Sequence, residues 1–247
     1  MEAHLYQDMA RLEDRHWWFR GRRAVLQSVL DTHLPNLECR RILDLGCGTG
    51  GNLPMLARFG EVEGVEGSID GVEACRARLG AKTRIHHGTL PEGMPLGQYD
   101  LITAFDVLEH LDDPSATVRR VREALAPGGL LICTVPAWPF LWSRHDELNH
   151  HKRRYTERML SEQLSAGGFR LRYRTYFNAT LFPPIAAVRL LQRALGRTVV
   201  GGGGSDLVET WKPLNAVLEA LLSAERWVVP RWRLPWGLSL LAVAEPA

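Results

Sequence analysis

Two apolar rhythms alternate along the chain. Short runs at 42–45, 61–66, 83–87, 99–105, 130–135, 169–176 and 236–244 are apolar or alternate with polar residues and predict strands. Between them, apolar residues recur three and four apart and predict helices: Leu5, Met9 and Leu12 within 4–30; Leu53, Leu56 and Phe59; 68–78; Val118, Val121 and Leu125; 157–166. Strand and helix alternate as far as residue 135, which predicts a parallel sheet covered on both faces. The pattern changes from 179 to 234, where an apolar helix around 181–195, the run Gly201-Gly202-Gly203-Gly204 and a helix through Leu214, Val217, Leu218, Leu221 and Leu222 precede the last strand.

The 247 residues suffice for one sizeable α/β domain with a full core. A net charge of +2 argues against a nucleic-acid binder, which is usually more basic. Cys39, Cys47, Cys75 and Cys133 lack C-x-x-C spacing and read as reduced thiols of a cytoplasmic protein. Met1-Glu2-Ala3-His4 has no basic region followed by an apolar core, so no signal peptide is expected, and no apolar stretch reaches the length of about 18 residues that a spanning helix needs.

Candidate chemistry begins where the first strand ends. Asp44-Leu45-Gly46-Cys47-Gly48-Thr49-Gly50 is a strand end, a glycine turn and a helix start. The glycines let a ligand approach main-chain N–H groups with no Cβ in the way. Asp44 can accept hydrogen bonds from a ligand amine and would repel a pyrophosphate, so G-x-G-x-G behind an acid differs from the dinucleotide fingerprint G-x-G-x-x-G. Glu66, about 20 residues further on, stands where an acid can take both hydroxyls of a ribose. The turn resembles the first motif of class I S-adenosylmethionine-dependent methyltransferases, and Pro127-Gly128-Gly129 matches that family too. The resemblance implies a doubly wound, seven-stranded, mostly parallel Rossmann-like sheet whose last strand is antiparallel. It also implies S-adenosyl-L-methionine as cofactor and S-adenosyl-L-homocysteine as product, held by Asp44, Gly46, Cys47, Gly48, Gly50 and Glu66. Gly88, Thr89 and Leu90 would border the adenine, with Phe105 and Asp106 as further neighbours.

The chain then divides into a helical N-terminal lid (1–35), a core (36–178) with an acceptor loop (136–156), a helical cap insert (179–234) and the final strand (235–247). In His16-Trp17-Trp18-Phe19-Arg20-Gly21-Arg22-Arg23 three adjacent aromatics cannot all face one core. Trp18 would cover the cofactor and Arg22 or Arg23 would reach its carboxylate; the same segment also reads as a basic helix packed on the domain. Asp106, Glu109 and His110, at i, i+3 and i+4, would share a face if helical and could hold a divalent cation. Some methyltransferases with E-x-x-E-H here do bind metal, whereas this chain has aspartate first.

The acceptor loop carries His145, His151, Arg154 and Tyr155. A histidine can remove an acceptor proton, Tyr155 and Arg154 can orient it, and Lys152, Arg153 and Arg154 can hold an anionic group. His151-Lys152-Arg153-Arg154-Tyr155-Thr156 resembles the H-x-R-R-Y-T of a bacterial methyltransferase branch that also carries HWWFRGRR near its start. The expected reaction moves a methyl group to O or N of a small or lipid-like acceptor, as in secondary-metabolite or cell-envelope glycan or lipid biosynthesis. The insert, with Trp227, Arg231, Trp232 and Arg233, would line a substrate channel, form a dimer contact or lie on an anionic membrane. A nucleotide-dependent oxidoreductase and a non-catalytic cofactor-binding scaffold stay open, as does the oligomeric state.

Overall fold

The computed structural model describes residues 3–34, 41–80, 83–194 and 210–247. Cys39 and Gly201–Gly204 lie outside the described residues. Helices α1 (Ala3–Leu12) and α2 (Trp17–His33) precede the strand-helix alternation of β1 (Arg41–Leu45), α3 (Leu53–Leu56), β2 (Glu61–Glu66), α4 (Ile69–Leu79), β3 (Arg84–His87) and β4 (Tyr99–Phe105). There follow α5 (Pro114–Ala124), β5 (Leu125–Pro136), the short α6 (Arg144–Leu148), α7 (Glu157–Ala166), β6 (Phe169–Phe177), α8 (Phe182–Ala194), α9 (Lys212–Ala224) and β7 (Ser239–Pro246).

The seven strands form one sheet in the order β3-β2-β1-β4-β5-β7-β6. β7 alone runs antiparallel, between β5 and β6, so the sheet is mostly parallel as expected. The continuous apolar run of β5 is required because helices cover both faces: Leu130 to Val135 are all buried. Two apolar layers sandwich the sheet, one centred on Leu43, Ile102, Leu131 and Leu164, the other on Leu26, Ile42, Leu56 and Leu241.

α5 starts where Asp113 accepts hydrogen bonds from the N–H groups of Ser115 and Ala116 ahead of Pro114 at the first turn. The insert is anchored in two ways. α9 lies against α2, with Asn215 Oδ1 accepting from Trp17 N at 2.9 Å, and Tyr173 of β6 donates to the carbonyl of Val229 at 2.6 Å. At the α2–α9 crossing a Cβ on Gly21 would stand 2.8 Å from Leu222 Cβ. Gly21→Ala is therefore expected to wedge the two helices apart and destabilise the fold by about 1–3 kcal/mol, read as a lower midpoint in chemical denaturation.

Candidate functional site

The carboxyl ends of the parallel strands open into a cavity of about 1090 Å³, walled on its far side by α2 and α8. Its floor is the glycine turn. Gly46, Gly48 and Gly50 have φ of 60°, 56° and 83°, a region that glycine enters without strain. A Cβ on Gly46 would also meet Val107 Cγ2 at 2.8 Å. Gly46, Cys47 and Gly48 line the cavity, whereas Gly50 packs against Cys75.

Two acids flank this turn, in different ways. Glu66, at the end of β2, lines the cavity and accepts from Gly48 N at 2.9 Å, Ser68 N at 2.9 Å and the Tyr6 hydroxyl at 3.0 Å. The helix α1 thus closes over the site through Tyr6, whose hydroxyl is pushed up by burial and by Glu66. Asp44, only 1 % exposed, lies beneath the turn and outside the cavity lining. It accepts from Thr103 Oγ1 at 2.6 Å, and burial pushes its carboxyl up to about 7, opposed by the Thr103 bond and the Arg22 charge. Gly88, Thr89 and Leu90 form the adjoining wall after β3, and Phe105, Asp106 and Val107 the next.

Trp17, Trp18 and Arg22 of α2 line the cavity roof. The two indoles meet edge to face, 5.9 Å apart. Arg22 does not stand free toward a ligand. Its Nη2 pairs with Asp106 Oδ2 at 2.8 Å and donates to Thr134 Oγ1 at 3.0 Å, while Arg23 donates to the Glu13 carbonyl. Thr134 Oγ1 in turn donates to Asp106 Oδ1 at 2.9 Å. Arg22 Nε, buried, has no partner among the described residues.

The segment from Asp106 to Leu111 is a turn, not a helix, because Asp106 takes φ of 57°. The face that Asp106, Glu109 and His110 would share on a helix therefore does not form. Glu109, His110 and His151 meet instead, one potential ligand atom from each lying within 4.8 Å of the others. Glu109 is fully buried with neither carboxylate oxygen partnered among the described residues; burial and then Asp106 push its carboxyl well up. Burial and the neighbouring His151 lower His110 to about 4. One carboxylate and two imidazoles are a donor set suited to a divalent cation, with His151 where a helical turn would have put Asp106.

His151 is held from behind. Its Nδ1 lies 2.9 Å from Oδ1 of Asp146, a wholly buried carboxylate that also accepts from Arg154 Nε at 2.7 Å and Ser143 N at 2.8 Å. Burial raises the Asp146 carboxyl, but the bonds from His151 and Arg154 and the Arg154 charge outweigh it and hold that carboxyl well below the usual range. His145 lies edge-on to His151 with ring centres 6.0 Å apart, and both line the cavity. Asp146 was not singled out from the sequence, although Asp146 and Glu147 are the loop's only acids.

The other loop residues depart from expectation. Tyr155 is buried in the core beneath the loop, its hydroxyl donating to the Leu108 carbonyl at 3.4 Å and pushed up by burial. A backbone bridge to Ala137 pulls it inward. Lys152 pairs with Asp112, and Arg153 donates to the carbonyls of Leu111 and Asp112 at 2.8 and 3.2 Å, so neither reaches the cavity. Arg154 lines it but is committed to Asp146 and to the Ala137 carbonyl at 3.1 Å. A cation that sequence reasoning missed, Arg189, enters the lining from α8 with Ile185.

Comparison with known proteins places these features in a family. A family model described as a methyltransferase domain matches residues 17–174. A trans-aconitate 2-methyltransferase of Deinococcus radiodurans is 28 % identical over 95 % of this chain and 84 % of its own length. A ubiquinone biosynthesis O-methyltransferase of Aromatoleum aromaticum is 35 % identical over 38 % of this chain, a match that spans only 42 % of that relative. Among solved structures, a chain from the complex of the Haloferax volcanii Trm112 methyltransferase activator with a methyltransferase superposes with a TM-score of 0.62 at 20 % identity, covering 99 % of this chain and 93 % of that one. That likeness carries the fold, and the family model covers well over half of the sequence. The chain belongs to the methyltransferase-domain family with the class I, S-adenosylmethionine-dependent fold.

Proposed function

We propose that the protein binds S-adenosylmethionine across the carboxyl ends of β1 to β4 and transfers its methyl group to an oxygen or nitrogen of a small or amphiphilic acceptor lying under His151. The observation that carries this reading is the Asp146–His151 pair opening into the same cavity as the glycine turn and Glu66. The cavity's residues fit the cofactor: an acid at a ribose position, a turn with no side chains in the way, and a buried carboxylate beneath it to complement positive charge. When bound, the cofactor supplies a methyl group on a sulfonium centre.

This chain's residues supply position and a proton acceptor. Asp146 occupies His151 Nδ1, which leaves Nε2 as the ring position that takes the acceptor's proton, and the carboxylate stabilises the imidazolium that results. Alignment of acceptor and methyl group between the loop and the glycine turn supplies the rest of the rate. A relative named as an O-methyltransferase supports oxygen as the acceptor atom.

Isothermal titration with S-adenosylhomocysteine, run beside NAD, tests the reading. Micromolar binding of the thioether and none of NAD is expected. Glu66→Ala should weaken binding roughly 10–100-fold through the loss of bonds to a charged acceptor, and Glu66→Gln should weaken it less. NAD binding with no affinity for the thioether would replace this reading with that of a nucleotide-dependent oxidoreductase.

A further inference from the structure

The insert turns two unlike faces to its surroundings. On α8, Ile185 and Arg189 line the cavity, whereas Val188, Leu190 and Leu191 on the outer side are exposed. On α9, Leu222 and Glu219 meet Gly21 and Arg20 of α2, whereas Leu214, Val217 and Leu221, at i, i+3 and i+7, form a second apolar stripe that faces solvent. Trp211 at the head of α9, and Trp227 and Trp232 beyond its end, are 75 %, 66 % and 70 % exposed. The two segments are tied at their ends: buried Glu225 accepts from the N–H groups of Asn178, Ala179 and Thr180 at 2.6, 2.8 and 3.1 Å, joining the segment before Trp227 to the segment before α8.

Exposed charge among the insert's described residues is one-sided. The exposed ionised side chains among the insert's described residues are Lys212, Arg226, Arg231 and Arg233. Its two described acids are engaged elsewhere, Glu225 in that junction and Glu219 with Arg20 at 2.9 Å. Arg226 lies 4.9 Å over the Trp227 ring. A second copy on a twofold axis would set cations against cations. An anionic lipid surface answers both features, with indoles and arginines at the headgroup level and the Leu/Val stripes at the acyl boundary. Among the described residues no helix is long and apolar enough to cross a membrane, so the contact is with the surface.

We propose that the outer faces of α8 and α9, with Trp227 and Trp232, rest on an anionic membrane surface, and that the acceptor is a membrane-resident amphiphile entering beneath α8. The second clause rests on the methyl-transfer reading; the first stands without it.

The test is co-sedimentation of the full chain with phosphatidylcholine vesicles, with and without phosphatidylglycerol, for native protein and two double variants, Trp227→Ser with Trp232→Ser and Lys212→Glu with Arg226→Glu. Native protein should pellet with anionic vesicles only, and less at raised salt; each double variant should bind about tenfold more weakly or worse. These side chains are exposed, and calorimetry with S-adenosylhomocysteine checks that the variants stay folded. Failure of native protein to pellet, or equal pelleting of the variants, overturns the proposal. A dimer dispersed by the Trp pair, with no vesicle binding, also overturns it and gives the face to a second copy. Vesicle binding retained in a protein that binds no thioether would instead sink the methyl-transfer reading.

Discussion

Asp44→Asn is expected to abolish S-adenosylhomocysteine binding while raising thermal stability. Asp44 sits under the glycine turn, out of water, with Thr103 as its one close donor among the described residues, and burial pushes its carboxyl up to about 7. The folded state therefore favours the protonated form over the unfolded chain, where the carboxyl has its ordinary value near 3.8. Stability from this site is present at low pH and is lost as pH rises between those two values. Asparagine mimics the protonated form, keeps an acceptor for Thr103 and removes the cost of a buried charge, a gain on the order of a few kcal/mol at pH 8. On the proposed reading ligand binding has the opposite sign, because the ionised carboxylate beneath the turn complements the cofactor's positive charge. Native affinity should fall by about tenfold per pH unit below pH 7 and be level above it, whereas the variant should bind poorly at every pH. Calorimetry between pH 6 and pH 8 with parallel thermal melts reads both signs. Native-like affinity in the variant would remove Asp44 from the cofactor site, and an unchanged melting temperature would show that its charge costs nothing.

The strands were legible because sheet burial imposes apolar runs, and the glycine turn because few other residues fit its backbone. Where boundaries moved, local chemistry explains it. β5 begins at Leu125 rather than 130: Pro127-Gly128-Gly129 runs through the strand as an irregularity, with Gly128 at φ of 80° and the pairing to β4 shifting between Tyr99 and Leu101. The i, i+3, i+4 spacing of Asp106, Glu109 and His110 leaves a helical turn open, because periodicity says nothing about a non-glycine residue in the left-handed region. The true partner of Asp106, Arg22, is remote in sequence and enters only when α2 folds across the strand ends. Asp146 and His151 are five residues apart, a spacing that matches neither helix nor strand, so only the turn after α6 brings them together. Tyr155 carried a reactive hydroxyl in a basic loop, yet its backbone pairs with Pro136 and Ala137 and drives the ring into the core.

On the proposed reading His151→Ala should lower the rate of methyl transfer by about 10²–10⁴-fold while leaving thioether affinity within a few-fold of native, because the imidazole would act on the acceptor and not on the cofactor. The assay follows labelled methyl from the cofactor to a panel of small and amphiphilic acceptors. Asp146→Asn tests the second member of the pair and separates positioning from packing. An amide cannot stabilise the imidazolium, so the rate should fall by a comparable factor. The same substitution leaves Arg154, nearly buried, without its counter-charge, and should cost about 3–5 kcal/mol of stability. The pH dependence of that loss has a definite sign. The folded Asp146 carboxyl stays ionised below its ordinary range, so its contribution is complete above the unfolded value near 3.8 and disappears as pH falls through the lower, folded one. Native and variant proteins should therefore converge in stability on strong acidification and diverge near neutrality. Tyr155→Phe is the control: its hydroxyl donates to the Leu108 carbonyl at 3.4 Å, lies beside Arg153 and is outside the cavity lining, so the rate should hold. If Tyr155→Phe slows transfer while His151→Ala does not, the proton leaves through the core side of the loop, and the Asp146–His151 pair serves only to fasten Arg154.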